Sequence, residues 1–121
     1  MADKDSLGKL LDEILEFSDQ RDWRQFHTFK NLTAALSVEA SELLELTQWL
    51  DDDQTEQKLK NDSFLSSVSD EIADIFIYLL LVCDASGVDL LEAEHKKIKV
   101  NNEKYPVDRF RGTAKKYTEF I

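Results

Sequence analysis

The chain has 121 residues, enough for one domain with a real core but not for two. One proline and three glycines are too few for a turn-rich β fold, and 42% hydrophobic against 33% charged residues excludes a disordered chain. A net charge of −10 argues against a binder of nucleic acid polymers.

Leu7, Leu10, Leu11, Ile14 and Leu15 recur at helical spacing and predict a first helix over residues 6–18. A polar and aromatic connection follows over 19–29, with Trp23, Phe26 and His27. The second helix is expected over 30–50. Leu32, Leu36, Leu43, Leu46 and Leu50 lie on one side, and Glu39 stands where another leucine would fit. Asp51, Asp52 and Asp53 are expected to end it, because acids at a helix C-terminus oppose the macrodipole.

A polar linker leads to Ser63, the expected N-cap of a third helix that runs to about residue 85 and stops at Gly87. The second half of that helix is apolar all round and must be covered on every side, in so small a chain partly by another subunit. Its longest apolar run, 75–83, is nine residues between Asp74 and Asp84, too short to span a bilayer. Cys83, the only cysteine, falls on a core-like stripe and reads as a small buried hydrophobe in a reducing compartment.

Asp89 can cap a fourth helix over 90–105, which Pro106 terminates. Residues 106–121 are expected to form an extended C-terminal tail. Residues 96–121 carry +5, leaving −15 on the rest, which suits a small anionic ligand held through metal ions with lysines nearby. The opening Met-Ala-Asp-Lys-Asp has no apolar stretch, so a cytoplasmic protein without a secretory signal is expected. The fold class is therefore all-α, a four-helix-bundle type in a single domain over 1–121, with helices packed between subunits.

Four carboxylates sit where such helices should carry apolar residues. Glu39 and Glu42 form one i, i+3 pair and Glu71 and Asp74 another, each on one helical face. Two like charges about 6 Å apart repel by about 3 kcal/mol at an effective dielectric of ~20. Four converging in a helical interior call for a cation between them. An all-oxygen carboxylate site suits Mg²⁺ or Mn²⁺, and Mg²⁺ completes its shell with waters and substrate phosphates. A di-iron bundle would need Glu-x-x-His on each of two helices, and only Glu92 to His95 fits. No P-loop, Rossmann fingerprint or G-x-S-x-G is present. The competing reading is a non-catalytic helical interaction module whose acids form a solvated face.

The string Glu39-Ala-Ser-Glu42-Leu-Leu-Glu45, followed by Asp70-Glu71-Ile-Ala-Asp74-Ile-Phe-Ile-Tyr78, resembles the E-x-x-E … E-x-x-D signature of the MazG-like nucleoside triphosphate pyrophosphohydrolases. Arg21-Asp22-Trp23, Phe26-His27 and Asn31-Leu32 before it resemble the dCTP pyrophosphatase branch of that family. So do Asn101, Tyr105-Pro106 and Lys116-Tyr117-Thr118-Glu119 after it.

The resemblance implies a MazG-like all-α fold, a homodimer or homotetramer with sites between subunits, and Mg²⁺-dependent cleavage of (deoxy)nucleoside triphosphates to monophosphate and pyrophosphate. It assigns Glu39, Glu42, Glu71 and Asp74 to the metal. Trp23, Phe26, His27 and Trp49 fall to the base, and Tyr78, Lys97 and Asn101 to sugar or phosphates. Glu39 or Glu42 would activate the attacking water. Trp49 reads equally well as a core or interface aromatic. Two departures, Thr28-Phe29-Lys30-Asn31 where the family often has x-Pro-Arg-Asn and Ser41 where it usually has glycine, bear on base preference rather than on the metal site.

Overall fold

The computed structural model describes residues 4–116 and 118. Every regular element among these is helical. The elements are α1 (Lys4–Gln20), a 3-10 turn (Arg24–Phe26), α2 (Phe29–Glu45), α3 (Asp52–Lys58), α4 (Asp62–Ser86), α5 (Leu90–Lys104) and α6 (Val107–Phe110). Two compact units result, Met1–Gly87 and Val88–Ile121. The four expected long helices are present as α1, α2, α4 and α5.

In the first unit α2 lies along α4, and α1 packs against α4. The stripe on α1 delivers Ile14 to the core, α2 delivers Leu32, and α4 delivers the adjacent pair Leu80 and Leu81. Neighbouring residues on a helix point about 100° apart. Burial of both leucines therefore means that α4 is gripped from two directions, as its all-round apolar sequence requires. Other apolar side chains of this unit stay exposed, among them Val38 and Leu44 on α2 and Leu65 and Ile72 on α4; Ile72 is 54% exposed. None of the described helices is long and apolar enough to cross a membrane.

Three boundaries differ from expectation, each for a local reason. The second helix stops at Glu45, not at residue 50. Leu46 and Thr47 donate their N–H groups to the Leu43 and Leu44 carbonyls at 3.2 and 3.0 Å, a tightened end of 3-10 type. Asp51 then begins a helix instead of ending one. Its Oδ1 accepts the Gln54 N–H at 2.8 Å while the Asp51 N–H donates to Gln54 Oε1 at 3.0 Å, a closed capping box. Asp52 and Asp53 follow in the first turn of α3. The dipole argument holds, but the acids complement a new N-terminus.

The N-cap of α4 is Asn61 rather than Ser63. Asn61 has extended dihedrals and its Oδ1 accepts the Phe64 N–H at 2.9 Å. Gly87 ends α4 as expected, with φ of 74° and its N–H on the Cys83 carbonyl. Cys83 is half-buried.

In the second unit Asp89 Oδ1 accepts the Glu92 N–H at 3.0 Å and starts α5, as the sequence predicts. The region after Pro106 is not wholly extended. The N–H groups of Arg109 and Phe110 both reach the Pro106 carbonyl at 3.1 Å, closing the one-turn α6. Tyr105 and Phe110 pack edge to face across it, with ring centroids 4.9 Å apart. Tyr117 and Glu119, which contribute to the family resemblance, lie outside the described residues, as do Met1–Asp3 of the expected leaderless N-terminus.

Candidate metal centre and adjoining cavity

Helices α2 and α4 meet along their acid-bearing faces. Glu39, Glu42 and Glu71 each offer a carboxylate oxygen, and these oxygens lie within 4.8 Å of one another. Asp74 stands close enough to act electrostatically on both Glu39 and Glu71. Glu39 Oε2 and Glu71 Oε2 are buried without a hydrogen-bond partner. Such orphaned acceptors are costly unless something positive meets them. The ion pairs Arg24–Asp19, His95–Glu94 and Lys96–Glu92 lie elsewhere.

The titration of these acids reports the same conflict. Loss of solvent, then the neighbouring Glu42, then Glu71 and Asp74 push the Glu39 carboxyl from 4.5 up to about 7. Glu71 is raised as well, chiefly by loss of solvent and then by Glu42 and Asp74, although the neighbouring Glu39 carboxyl works in the opposite direction. Converging carboxylate oxygens with unpaired lone pairs fit a hard divalent cation, and the residues present can hold one.

Beside the acids lies a cavity of about 460 Å³ in the first unit. This volume is within the ordinary range for small-molecule sites. Asp74 and Tyr78 line it from α4, so the cavity begins at the edge of the acidic cluster. Trp23 and His27 line it from the loop after α1. The sequence-predicted site residues are thus joined in part: Trp23, His27, Asp74 and Tyr78 share one wall system with the three glutamates nearby.

The loop that carries the aromatic residues is held by its own polar groups. Trp23 N–H donates to the Ser18 carbonyl at 2.9 Å, turning the chain back against the end of α1. Asp22 adopts φ of 54°, a left-handed conformation that aspartate tolerates, and Gln25 Nε2 donates to its carbonyl and carboxylate at 3.0 Å each. Asn31 Nδ2 donates to the Phe26 carbonyl at 3.0 Å, and Thr28 Oγ1 caps α2 by accepting the Asn31 N–H at 3.2 Å. Trp23 packs edge to face on Phe17 with centroids 5.7 Å apart.

Other expected site residues are placed differently. Phe26 is exposed and absent from the cavity wall, and Trp49 is 87% exposed on the turns after α2. A core role for Trp49 is therefore excluded in this chain. The His27 Nδ1 is buried without a partner. Lys97 and Asn101 share α5 in the second unit, Lys97 exposed and Asn101 half-buried with its carbonyl accepting the Tyr105 N–H at 2.8 Å.

Several cavity residues carried no signal in the sequence. Leu10, Ile14, Phe17, Ile77 and Leu81 read as ordinary core, and they supply most of the apolar wall. Ser18 did carry a signal. It is a hydroxyl in line with the leucines of α1, four residues after Ile14.

The all-helical unit, the acid pairs on facing helices and the adjoining cavity define a carboxylate site of metal-binding type, and comparison with known proteins gives its family. The chain belongs to the MazG-like family, whose model matches residues 34–120. Bovine (Bos taurus) dCTP pyrophosphatase 1 is 39% identical over 104 residues, covering 86% of this chain and 62% of the relative. The human (Homo sapiens) dCTP pyrophosphatase 1 is 36% identical over 104 residues, with 86% and 61% covered. The chain thus spans about three fifths of the length of the curated relatives it matches. A crystal structure of a pyrophosphatase from Archaeoglobus fulgidus DSM 4304 superposes with a TM-score of 0.79 at 38% identity, covering 88% of this chain and 97% of that one.

Proposed function

We propose that the protein is a nucleoside triphosphate pyrophosphohydrolase that converts a (deoxy)nucleoside triphosphate, dCTP or another dNTP, to the monophosphate and pyrophosphate. The observation that carries this reading is the convergence of Glu39, Glu42 and Glu71 within 4.8 Å beside a largely apolar cavity of nucleoside size. The names of the relatives and of the structural neighbour support the same reaction. The whole chain is proposed to work as one domain, in the cytoplasm, as a house-cleaning enzyme of the nucleotide pool.

The cation is proposed to be Mg²⁺, with Mn²⁺ as substitute, held by Glu39, Glu42, Glu71 and Asp74. When bound it would neutralise phosphate oxygens and acidify a nearby water. Glu39 or Glu42 orients that water and takes its proton as the oxygen attacks the α-phosphorus. The bond from the α-phosphorus to the bridging oxygen breaks, and pyrophosphate leaves with the electron pair.

Trp23 offers a face for the base. His27 presents its unpartnered Nδ1, and Tyr78, one turn beyond Asp74, brings a hydroxyl toward the phosphate side. The roles of Phe26, Trp49, Lys97 and Asn101 rest on the resemblance to the family. Exposed Val38, Leu44, Leu65 and Ile72 support a homodimer or homotetramer in which a second copy covers them.

The rival, an interaction module with a solvated acidic face, conflicts with two buried and unpartnered carboxylate oxygens. Incubation with a panel of dNTPs and Mg²⁺, with separation of the products, tests the proposal. Monophosphate and pyrophosphate are expected. Diphosphate and phosphate would show the wrong bond cleaved. No turnover together with no cation-dependent rise in melting temperature would reject the enzyme.

A further inference from the structure

Ser18 breaks the apolar stripe of α1 and lies buried, 2% exposed, the one buried polar residue among the described residues. A hydroxyl among hydrocarbon side chains costs free energy unless it is bonded. Its Oγ donates to the Ile14 carbonyl at 3.1 Å, one helical turn back. That bond engages the only proton the hydroxyl has and leaves its acceptor lone pairs free.

Ser18 also lines the 460 Å³ cavity. The other side chains with polar groups on that wall are Glu13, Trp23, His27, Asp74 and Tyr78, with no lysine or arginine among them. His27 contributes a buried Nδ1 with no partner. Donors and acceptors are therefore both present on the wall, but the Ser18 oxygen, its proton held by the Ile14 carbonyl, offers lone pairs alone. A ligand that complements it should bring N–H groups to the Ser18 side.

We propose that Ser18 is a specificity-determining residue, its hydroxyl oxygen accepting a hydrogen bond from the exocyclic amino group of a nucleobase and so favouring amino-bearing bases such as cytosine over the keto bases uracil and thymine. This inference rests on the nucleotide reading above and adds to it the residue and the base edge. A keto oxygen at the same place would face lone pairs, and the hydroxyl would have to leave the Ile14 carbonyl in order to donate. Net hydrogen bonds of ordinary strength make this a preference of about tenfold.

The test uses deoxynucleoside monophosphates, which need no turnover. The parent protein and Ser18→Ala are titrated with dCMP, dUMP and a pyrimidin-2-one deoxynucleoside monophosphate that lacks the 4-amino group, with tryptophan fluorescence as readout. The unsubstituted protein is expected to bind dCMP about tenfold more tightly than either of the others, and Ser18→Ala to bind all three within about twofold. A melting temperature within a few degrees of the parent shows that the variant is folded. If Ser18→Ala keeps the tenfold preference, or if the parent shows none, the inference is overturned. Failure of the nucleotide reading shows separately, as absence of triphosphate cleavage by the parent, while the titration still decides the role of Ser18.

Discussion

Asp51, Asp52 and Asp53 are consecutive in sequence, whereas Glu39, Glu42 and Glu71 are gathered from two helices, and the two acidic groups are treated in opposite ways. Asp51 closes a capping box with Gln54, and its two neighbours sit exposed in the first turn of α3. Every one of those charges is met by backbone N–H groups, the helix dipole or water. The three glutamates have the reverse environment. Two of their oxygens are buried and unpartnered, and loss of solvent, followed by the neighbouring carboxyl groups, raises the Glu39 carboxyl to about 7. The density of acid along the chain is greater at 51–53, but the need for a cation arises where the solvent and partners are missing.

The largest expected effect separates the two groups outright. Glu39→Gln should lower kcat by at least about a hundredfold, while the unfolding midpoint without divalent cation stays level or rises, because one repelling charge is removed. Asp51→Ala should leave kcat as it is. If Glu39→Gln retained full turnover, the metal site would be misassigned even with the reaction correct.

A second difference concerns divalent cations. Mg²⁺ or Mn²⁺ should raise the melting temperature of the parent by several degrees, by mass action on the folded state alone, and a chelator should reverse it. Glu39→Gln should lose most of that shift and Asp51→Ala none of it. An equal shift in both variants would place the cation elsewhere.

The pH dependence has a defined sign. The carboxyl of Glu39 stands at about 7 in the fold against 4.5 ordinarily, so between these values the folded chain binds more protons than the unfolded one. Without divalent cation this group's contribution to stability is largest at or below pH ~4.5, falls as pH rises toward 7, and levels off above. Excess Mn²⁺ should reduce the fall, because it favours the ionised form. Denaturant titrations across pH 5–8, with Glu39→Gln as reference, would show this slope, and a parent slope identical to that of the variant would remove the argument.

The smaller effects belong to the satisfied acids. Asp51→Ala should cost about 1 kcal/mol of stability through loss of the cap. Lys96→Ala, which removes a surface pair at 3.8 Å between largely exposed side chains, should cost no more than about 0.5 kcal/mol. A loss of several kcal/mol at Asp51 would show that α3 supports more of the fold than its exposed residues suggest.

Much of the chain was legible without coordinates because the signals were local. The stripe on α1, the Gly87 stop, the Asp89 cap and the two i, i+3 acid pairs all depend on residues within one or two turns of each other. The boundaries that misled were places where one local rule had two uses. Acids oppose a helix C-terminus and favour an N-terminus, and only the turn over 46–50 decided which applied. Asn61 and Ser63 are both able caps, and the chain closed on the first.

By itself, then, the sequence determined an all-helical chain, four long helices and a set of acids too close to the core to be decoration. Periodicity and capping are short-range, so a linear string carries them in full. Only the tertiary structure decided that three of those glutamates converge, that Trp49 stands out from the fold, and that Ser18 shares a cavity wall with His27 and Asp74. Those facts depend on how α1 and α2 lie against α4. That packing is set by burial across residues far apart in the chain, which no local pattern encodes.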